Sequence, residues 1–172
     1  MESHKESYNH FVGGLVKQTN ADYILEIGLG TGLTANVCLD YLSQRNKGKY
    51  VVLDFAPRAE GLDVLSKYDK KFWELRVGDT SKDDGIFQNL HDTRADVVLI
   101  DGAHLFNSPI IDTQKVILNG CAKDSTIFVY HDVTGSHLRQ SCVEISRIFK
   151  MDMFPINQAN LTLGQFSNRI NF

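Results

Sequence analysis

The chain has 172 residues, 42% of them hydrophobic and 23% charged, and carries a formal net charge of −3. This is the length and mix of one ordinary globular domain with a sizeable core, which excludes a disordered chain. The slight acidic excess argues against a nucleic-acid partner, and no apolar run reaches bilayer length, which argues against a membrane protein.

A helical pattern over residues 1–20 opens the chain, with Phe11, Val12, Leu15 and Val16 on one side and Gly13 and Gly14 weakening it. As an N-terminal extension of the domain it is expected to cover a sheet edge or the mouth of a ligand site. Its polar start, MESHKESYNH, has no signal-peptide core, and Cys38, Cys121 and Cys142 lack metal-type spacing. Both observations point to reduced thiols in a cytoplasm. YILEI (Tyr23 to Ile27) then reads as a strand, followed by a helix with Leu33, Val37 and Tyr41 at four-residue spacing. YVVLD (Tyr50 to Asp54) is the second strand, followed by a helix marked by Leu62, Leu65 and Tyr68. FWELRV (Phe72 to Val77) is the third, with a short helical stretch at Ile86, Phe87 and Leu90. DVVLID (Asp96 to Asp101) precedes a helix with Pro109 in its first turn and Ile110, Ile111, Ile117 and Leu118 inward. TIFVYHD (Thr126 to Asp132) precedes a helix marked by Leu138, Ile145, Ile148 and Phe149. Two short strands, DMFPI and LTLGQF, close the pattern. The few residues between them, Asn157 and Asn160 included, suit a hairpin and leave no room for a crossover helix. Nearly continuous apolar strands alternating with helices predict an α/β fold: a doubly wound, Rossmann-like, seven-stranded sheet, mostly parallel, ending in an antiparallel hairpin. One domain is expected to span residues 1–172.

The first strand leads into EIGLGTG, in which Gly28, Gly30 and Gly32 alternate with other residues. A strand, a glycine-rich turn and a helix make a crevice in which backbone approaches a ligand and free helix N–H groups face it. A dinucleotide fingerprint needs glycine at residue 33, where this chain has Leu33. Glu26, two residues before the first glycine, would repel a pyrophosphate and suits a cationic ligand.

LEIGLGTG resembles the first motif of class I S-adenosylmethionine-dependent methyltransferases, whose ligand carries a sulfonium, an ammonium and no phosphate. The resemblance covers about residues 20–172, terminal hairpin included. It implies cofactor-binding roles for Glu26, Gly28, Gly30, Gly32, Asp54, Asp79 and Asp101. Asp54 matches the acid for the ribose hydroxyls and Asp79 the residue near the adenine amino group. Asp101 matches the residue beside the methyl group and substrate. LIDGAHLFNSPIIDTQ and VYHDV are similar to small-molecule O-methyltransferases of the catechol and antibiotic- or sugar-tailoring types. Several of those hold a divalent cation, Mg2+, with carboxylates at the positions of Asp101 and Asp132. The catechol type has Asn after the second Asp, where this chain has Val133, so His104 or His131 would have to substitute as a ligand. The metal-free alternative makes His104 or His131 the general base, with Asp101 beside it.

The expected function is therefore methyl transfer from S-adenosylmethionine to a hydroxyl of a small molecule. Two alternatives stay open: a catalytically incomplete cofactor-binding subunit of a larger assembly, and an NAD-dependent oxidoreductase. With only about 20 residues before Ile24 and no long insertion, no lid is evident. Either the acceptor is held openly or a second copy of the chain, in a homo-oligomer, closes the site.

Overall fold

The computed structural model describes residues 4–156 and 161–166. Helix α1 is His4–Gln18, followed by β1 (Tyr23–Ile27), α2 (Leu33–Arg45), β2 (Lys49–Asp54), α3 (Ala59–Ser66) and β3 (Trp73–Val77). The chain continues through β4 (Ala95–Ile100), α4 (Ser108–Leu118), β5 (Ala122–Tyr130), α5 (Ser136–Phe149), β6 (Met151–Ile156) and β7 (Leu161–Phe166). The seven strands form one sheet in the order β3-β2-β1-β4-β5-β7-β6. Strands β1 to β5 pair in parallel, while β7 is antiparallel to both β5 and β6. The hairpin expected at the C-terminus is present as the β6–β7 pair, and its connecting residues lie outside the described residues.

β7, not β6, lies against β5. Pro155 accounts for the order, since a residue without an N–H belongs in an edge strand. The helical stretch expected around Ile86, Phe87 and Leu90 is a pair of 3₁₀ turns, Asp84–Phe87 and His91–Thr93, although all three side chains are buried as expected.

Period-2 alternation splits the core into two layers. One face of the sheet packs Ile24, Tyr50, Val52, Val97, Leu99 and Val129 against α1, α2 and α3. The other packs Leu25, Leu53, Val98, Ile100 and Phe128 against α4, α5 and the 3₁₀ turns. The helix faces differ from the stripes read in the sequence. On α2 the buried residues are Thr34, Ala35, Cys38, Leu39, Tyr41 and Leu42, while Leu33 is exposed. This helix lies between the sheet and α1, so it buries small residues on a second side. On α4, Leu118 is 73% exposed and Asp112, Thr113 and Val116 face inward. Ile148 of α5 and Leu62 of α3 are exposed as well.

Helix α1 lies on α2. A Cβ on Gly13 would come within 2.6 Å of Val37 Cγ1, whereas one on Gly14 would meet nothing within 4 Å. Thr34 Oγ1 donates to Asn9 Oδ1 across the same contact, at 3.2 Å. The two glycines should therefore respond oppositely to alanine. Gly14→Ala should stabilise the protein by roughly 0.5–1 kcal/mol through helix propensity. Gly13→Ala should give no gain, because the crowding of a short branched side chain offsets the propensity. Urea unfolding of the two variants checks this.

Candidate active site

The strand phases determine which side chains meet at the carboxyl ends. On β1, Glu26 follows Ile24 onto the α1–α2 face, and its carboxylate accepts a hydrogen bond from the Tyr50 hydroxyl. On β4 and β5, Leu99 and Val129 lie on that same face. One further alternation puts Asp101 and His131 there too. The register pairs Ile100 with Tyr130, and the His131 N–H donates to Ile100 O at 3.1 Å. His131 Nδ1 then donates to Asp101 Oδ1 at 2.8 Å.

A cavity of about 500 Å³ opens at this edge, bordered by Gly28, Gly30, Asp54, Phe55, Asp79 and Asp101. A second, of about 390 Å³, is bordered by Tyr8, Asn9, Gly30, Asp101, His104, His131 and Asp132. Gly30, Arg58, Asp101 and Gly102 border both. The loop glycines do different jobs. A side chain on Gly28, at φ 93°, would run into the Asp101 carbonyl oxygen. Gly30, at φ 53°, has nothing within 4 Å of where its Cβ would stand, so its bare Cα faces the cavity. Gly32 lines neither cavity and makes room for Gly61 and Val64 of α3.

Asp54 stands on the wall of the larger cavity and braces the loop. Its Oδ2 accepts the Leu29 N–H at 2.6 Å and its Oδ1 the Ala56 N–H at 2.7 Å. Asp79 lies on the same wall but is committed to its own turn, accepting from Ser81 and pairing with Lys82 Nζ at 2.9 Å. The bonds from Lys82 and Ser81 lower its pKa to about 2. Glu26 lines neither cavity and is 1% exposed. Burial drives its pKa well up, the Tyr50 bond opposes this, and the charges of Asp101 and Asp54 add to it.

Asp101, His104, His131 and Asp132 form a ring of alternating acid and imidazole. Besides His131, Asp101 Oδ1 faces His104 Nε2 at 3.4 Å. Asp132 closes the ring at 3.5 Å from His131 Nε2 and 3.9 Å from His104 Nδ1. Burial favours the neutral Asp101 carboxyl, but the bonds from His104 and His131 outweigh it and hold the pKa below the ordinary value. The Asp101 bond raises the pKa of His104, burial opposes, and the charges of Asp101 and Asp132 add. Single donor atoms of Asp101, His131 and Asp132 lie within 4.8 Å of one another, a spacing that suits a shared cation.

The structure adds residues that motif reading missed. Phe55, 72% exposed directly after Asp54, offers an apolar face on the cavity wall. Its signal was a large aromatic where a turn calls for a polar residue. Tyr8 continues the Val12 and Val16 stripe of α1 at i−4 and i−8 and is 2% exposed. Asp112 lines the larger cavity and accepts from Thr80 Oγ1 at 2.7 Å. Its position three residues after Pro109 and four before Val116 puts a carboxylate on the inward stripe of α4.

Burial raises the Asp112 pKa from 3.8 to about 6, the Thr80 bond opposes, and the Asp79 charge adds. A folded-state pKa above the unfolded value means that the native protein holds the extra proton. Stability is then lost as pH rises from about 4 through about 6, by up to roughly 3 kcal/mol. Asp112→Asn should therefore raise stability at pH 7, with the gain shrinking toward zero below pH 4. Denaturant titrations of both proteins at the two pH values check this.

Among the described residues, no helix is long and apolar enough to cross a membrane. No curated protein matches the sequence. Similar solved structures include the Podospora anserina methyltransferase PaMTH1 bound to SAH, at 14% identity and TM-score 0.70 over 92% of this chain and 77% of that one. The O-methyltransferase TomG from Streptomyces achromogenes, solved with SAM, has 15% identity and TM-score 0.71 over 92% and 78%. The O-methyltransferase from Bacillus cereus, in complex with SAH, has 15% identity and TM-score 0.64 over 92% and 80%. These likenesses agree with the fold, and residues 25–133 match the family described as "Methyltransferase domain", so the chain belongs to that methyltransferase family.

Proposed function

We propose that the protein transfers a methyl group from S-adenosylmethionine to a hydroxyl group of a small molecule. The observation that carries this reading is the bare Cα of Gly30, which faces the space between the Asp54 wall and the Asp101–His131 ring. Neighbours of this fold, TomG and the Bacillus cereus enzyme, are O-methyltransferases solved with SAM or SAH, which supports the choice of cofactor and acceptor. Bound there, S-adenosylmethionine supplies a methyl group on a positively charged sulfur that is already a good leaving group. The protein is left with alignment and deprotonation.

Each Asp54 oxygen already accepts one backbone N–H, which leaves one lone pair apiece for two ribose hydroxyls. Phe55 provides a shelf for a flat base. His104 is the base: its side chain is 47% exposed against 11% for His131, and it faces the smaller cavity. Asp101 orients it and stabilises the imidazolium that forms when the acceptor loses its proton. His131 fixes Asp101. A second reading rests on the clustered donor atoms of Asp101, His131 and Asp132. A divalent cation held there lowers the pKa of a substrate hydroxyl. The imidazole in this donor set replaces the Asn ligand whose position is Val133, and it makes manganese or zinc as suitable as magnesium.

Calorimetry should show binding of S-adenosylhomocysteine and none of NAD; the reverse result refutes the reading. Asp54→Ala should weaken that binding roughly tenfold to a hundredfold, through loss of charge-assisted bonds and of the loop brace. The rate should rise with pH as His104 loses its proton, with a midpoint above the ordinary 6.5 in line with its raised pKa. His104→Gln should remove that limb and slow turnover by about 10²–10⁴. Loss of activity in chelator, restored by a divalent cation, would instead favour the metal reading.

A further inference from the structure

Tyr8 is buried against the active site, yet its hydroxyl has no hydrogen-bond partner among the described residues. Buried polar atoms without partners are rare and destabilising, so an orphan at the wall of a functional cavity marks a place where a ligand completes the bonding. Two contacts hold this residue in place. Its ring lies 3.9 Å from the His131 ring, centroid to centroid, and its helix is seated on α2 by the Gly13 approach and the Asn9–Thr34 bond. Tyr8 borders the smaller cavity together with Gly30 of the glycine loop and Asp101.

The surroundings select the kind of partner. Asp101 and Asp132 border the same cavity as Tyr8, and their charges act on the phenol, whereas burial favours the neutral forms of Glu26 and Cys38. A cavity walled by the Asp101 and Asp132 carboxylates repels an incoming carboxylate and attracts a cation. A neutral phenol oxygen has free lone pairs to accept an N–H. The glycine loop beside it, with Gly30 bare, is where the amino-acid end of S-adenosylmethionine would run if the adenosine occupies the Asp54 wall.

We infer that the Tyr8 hydroxyl accepts a hydrogen bond from the α-ammonium of the methyl donor, so that α1 is a cofactor-binding element and not just a cover for the sheet. This rests on the reading of the cofactor as S-adenosylmethionine. His131 is the other face of the same contact: the ring that holds Asp101 also fixes the phenol that holds the ammonium.

The test is calorimetric titration of the full chain and of Tyr8→Phe with three probes. These are S-adenosylhomocysteine, its analogue lacking only the α-amino group, and 5′-methylthioadenosine, which lacks the whole amino-acid end. Tyr8→Phe should weaken S-adenosylhomocysteine roughly tenfold to a hundredfold, the range for a hydrogen bond to a charged group. It should leave the other two unchanged. The thermal midpoint of the ligand-free variant should be no lower than that of the wild type, because the lost hydroxyl had no partner among the described residues. Equal weakening of all three probes, no weakening of any, or a penalty that persists for the desamino analogue overturns the inference while leaving the cofactor reading intact. Failure of the wild type to bind any of the three overturns both.

Discussion

The site depends on how closely β1 and β4 run together at their carboxyl ends. The Asp101 N–H donates to Ile27 O at 2.9 Å, and the Gly28 N–H to Leu53 O at 2.9 Å, so three neighbouring strands stay zipped up to the point where they turn. Only a residue without a side chain can stand at Gly28, because the Asp101 carbonyl occupies that space. This is also where the chain order reverses, the crossover from β1 going one way and that from β4 the other, which leaves a crevice between them. The glycine loop, the Asp54 brace and the acid–imidazole ring are all built on that one tight contact.

Charge in the crevice is divided by depth. Asp101 stays ionised near the base because two imidazoles donate to it, while Glu26, one strand away and fully enclosed, has the Tyr50 phenol as its partner. The two acids are thus not equivalent despite their similar places at strand ends. One is exposed to the cavity and tuned by histidines. The other lies behind the wall, where burial favours its neutral form. The orphan hydroxyl of Tyr8 lies near both acids.

The strands were legible because their apolar runs are nearly continuous, as burial on both faces demands, and the terminal hairpin because too few residues separate its strands. Asp54, Asp101, His104, His131 and Asp132 could be named as a group because each lies one or two residues past an apolar run, or in the loop that follows. The motif named Glu26 without an orientation, which counting its phase from Ile24 supplies: it turns toward the helices. Helix faces were read less well. The stripe Leu33, Val37 and Tyr41 assumes that α2 has one buried side, whereas α1 lies on it and makes small residues such as Ala35 interior. Asp112 and Tyr8 were missed for a related reason: a polar atom on an inward stripe acquires meaning only when the cavity it faces is known. The order of β6 and β7 was within reach through Pro155.

Asp132 has a left-handed backbone, at φ 53°. That turn breaks the strand alternation and swings its carboxylate back toward His131 and His104. Left-handed geometry at a single residue is tolerated by glycine, asparagine and aspartate and is strained for most others. The three permitted residues share a backbone shape and differ in what they present: nothing, a neutral amide or a negative charge. The loop after β5 is therefore a place where the electrical character of the site can be reset by one substitution while its geometry is kept.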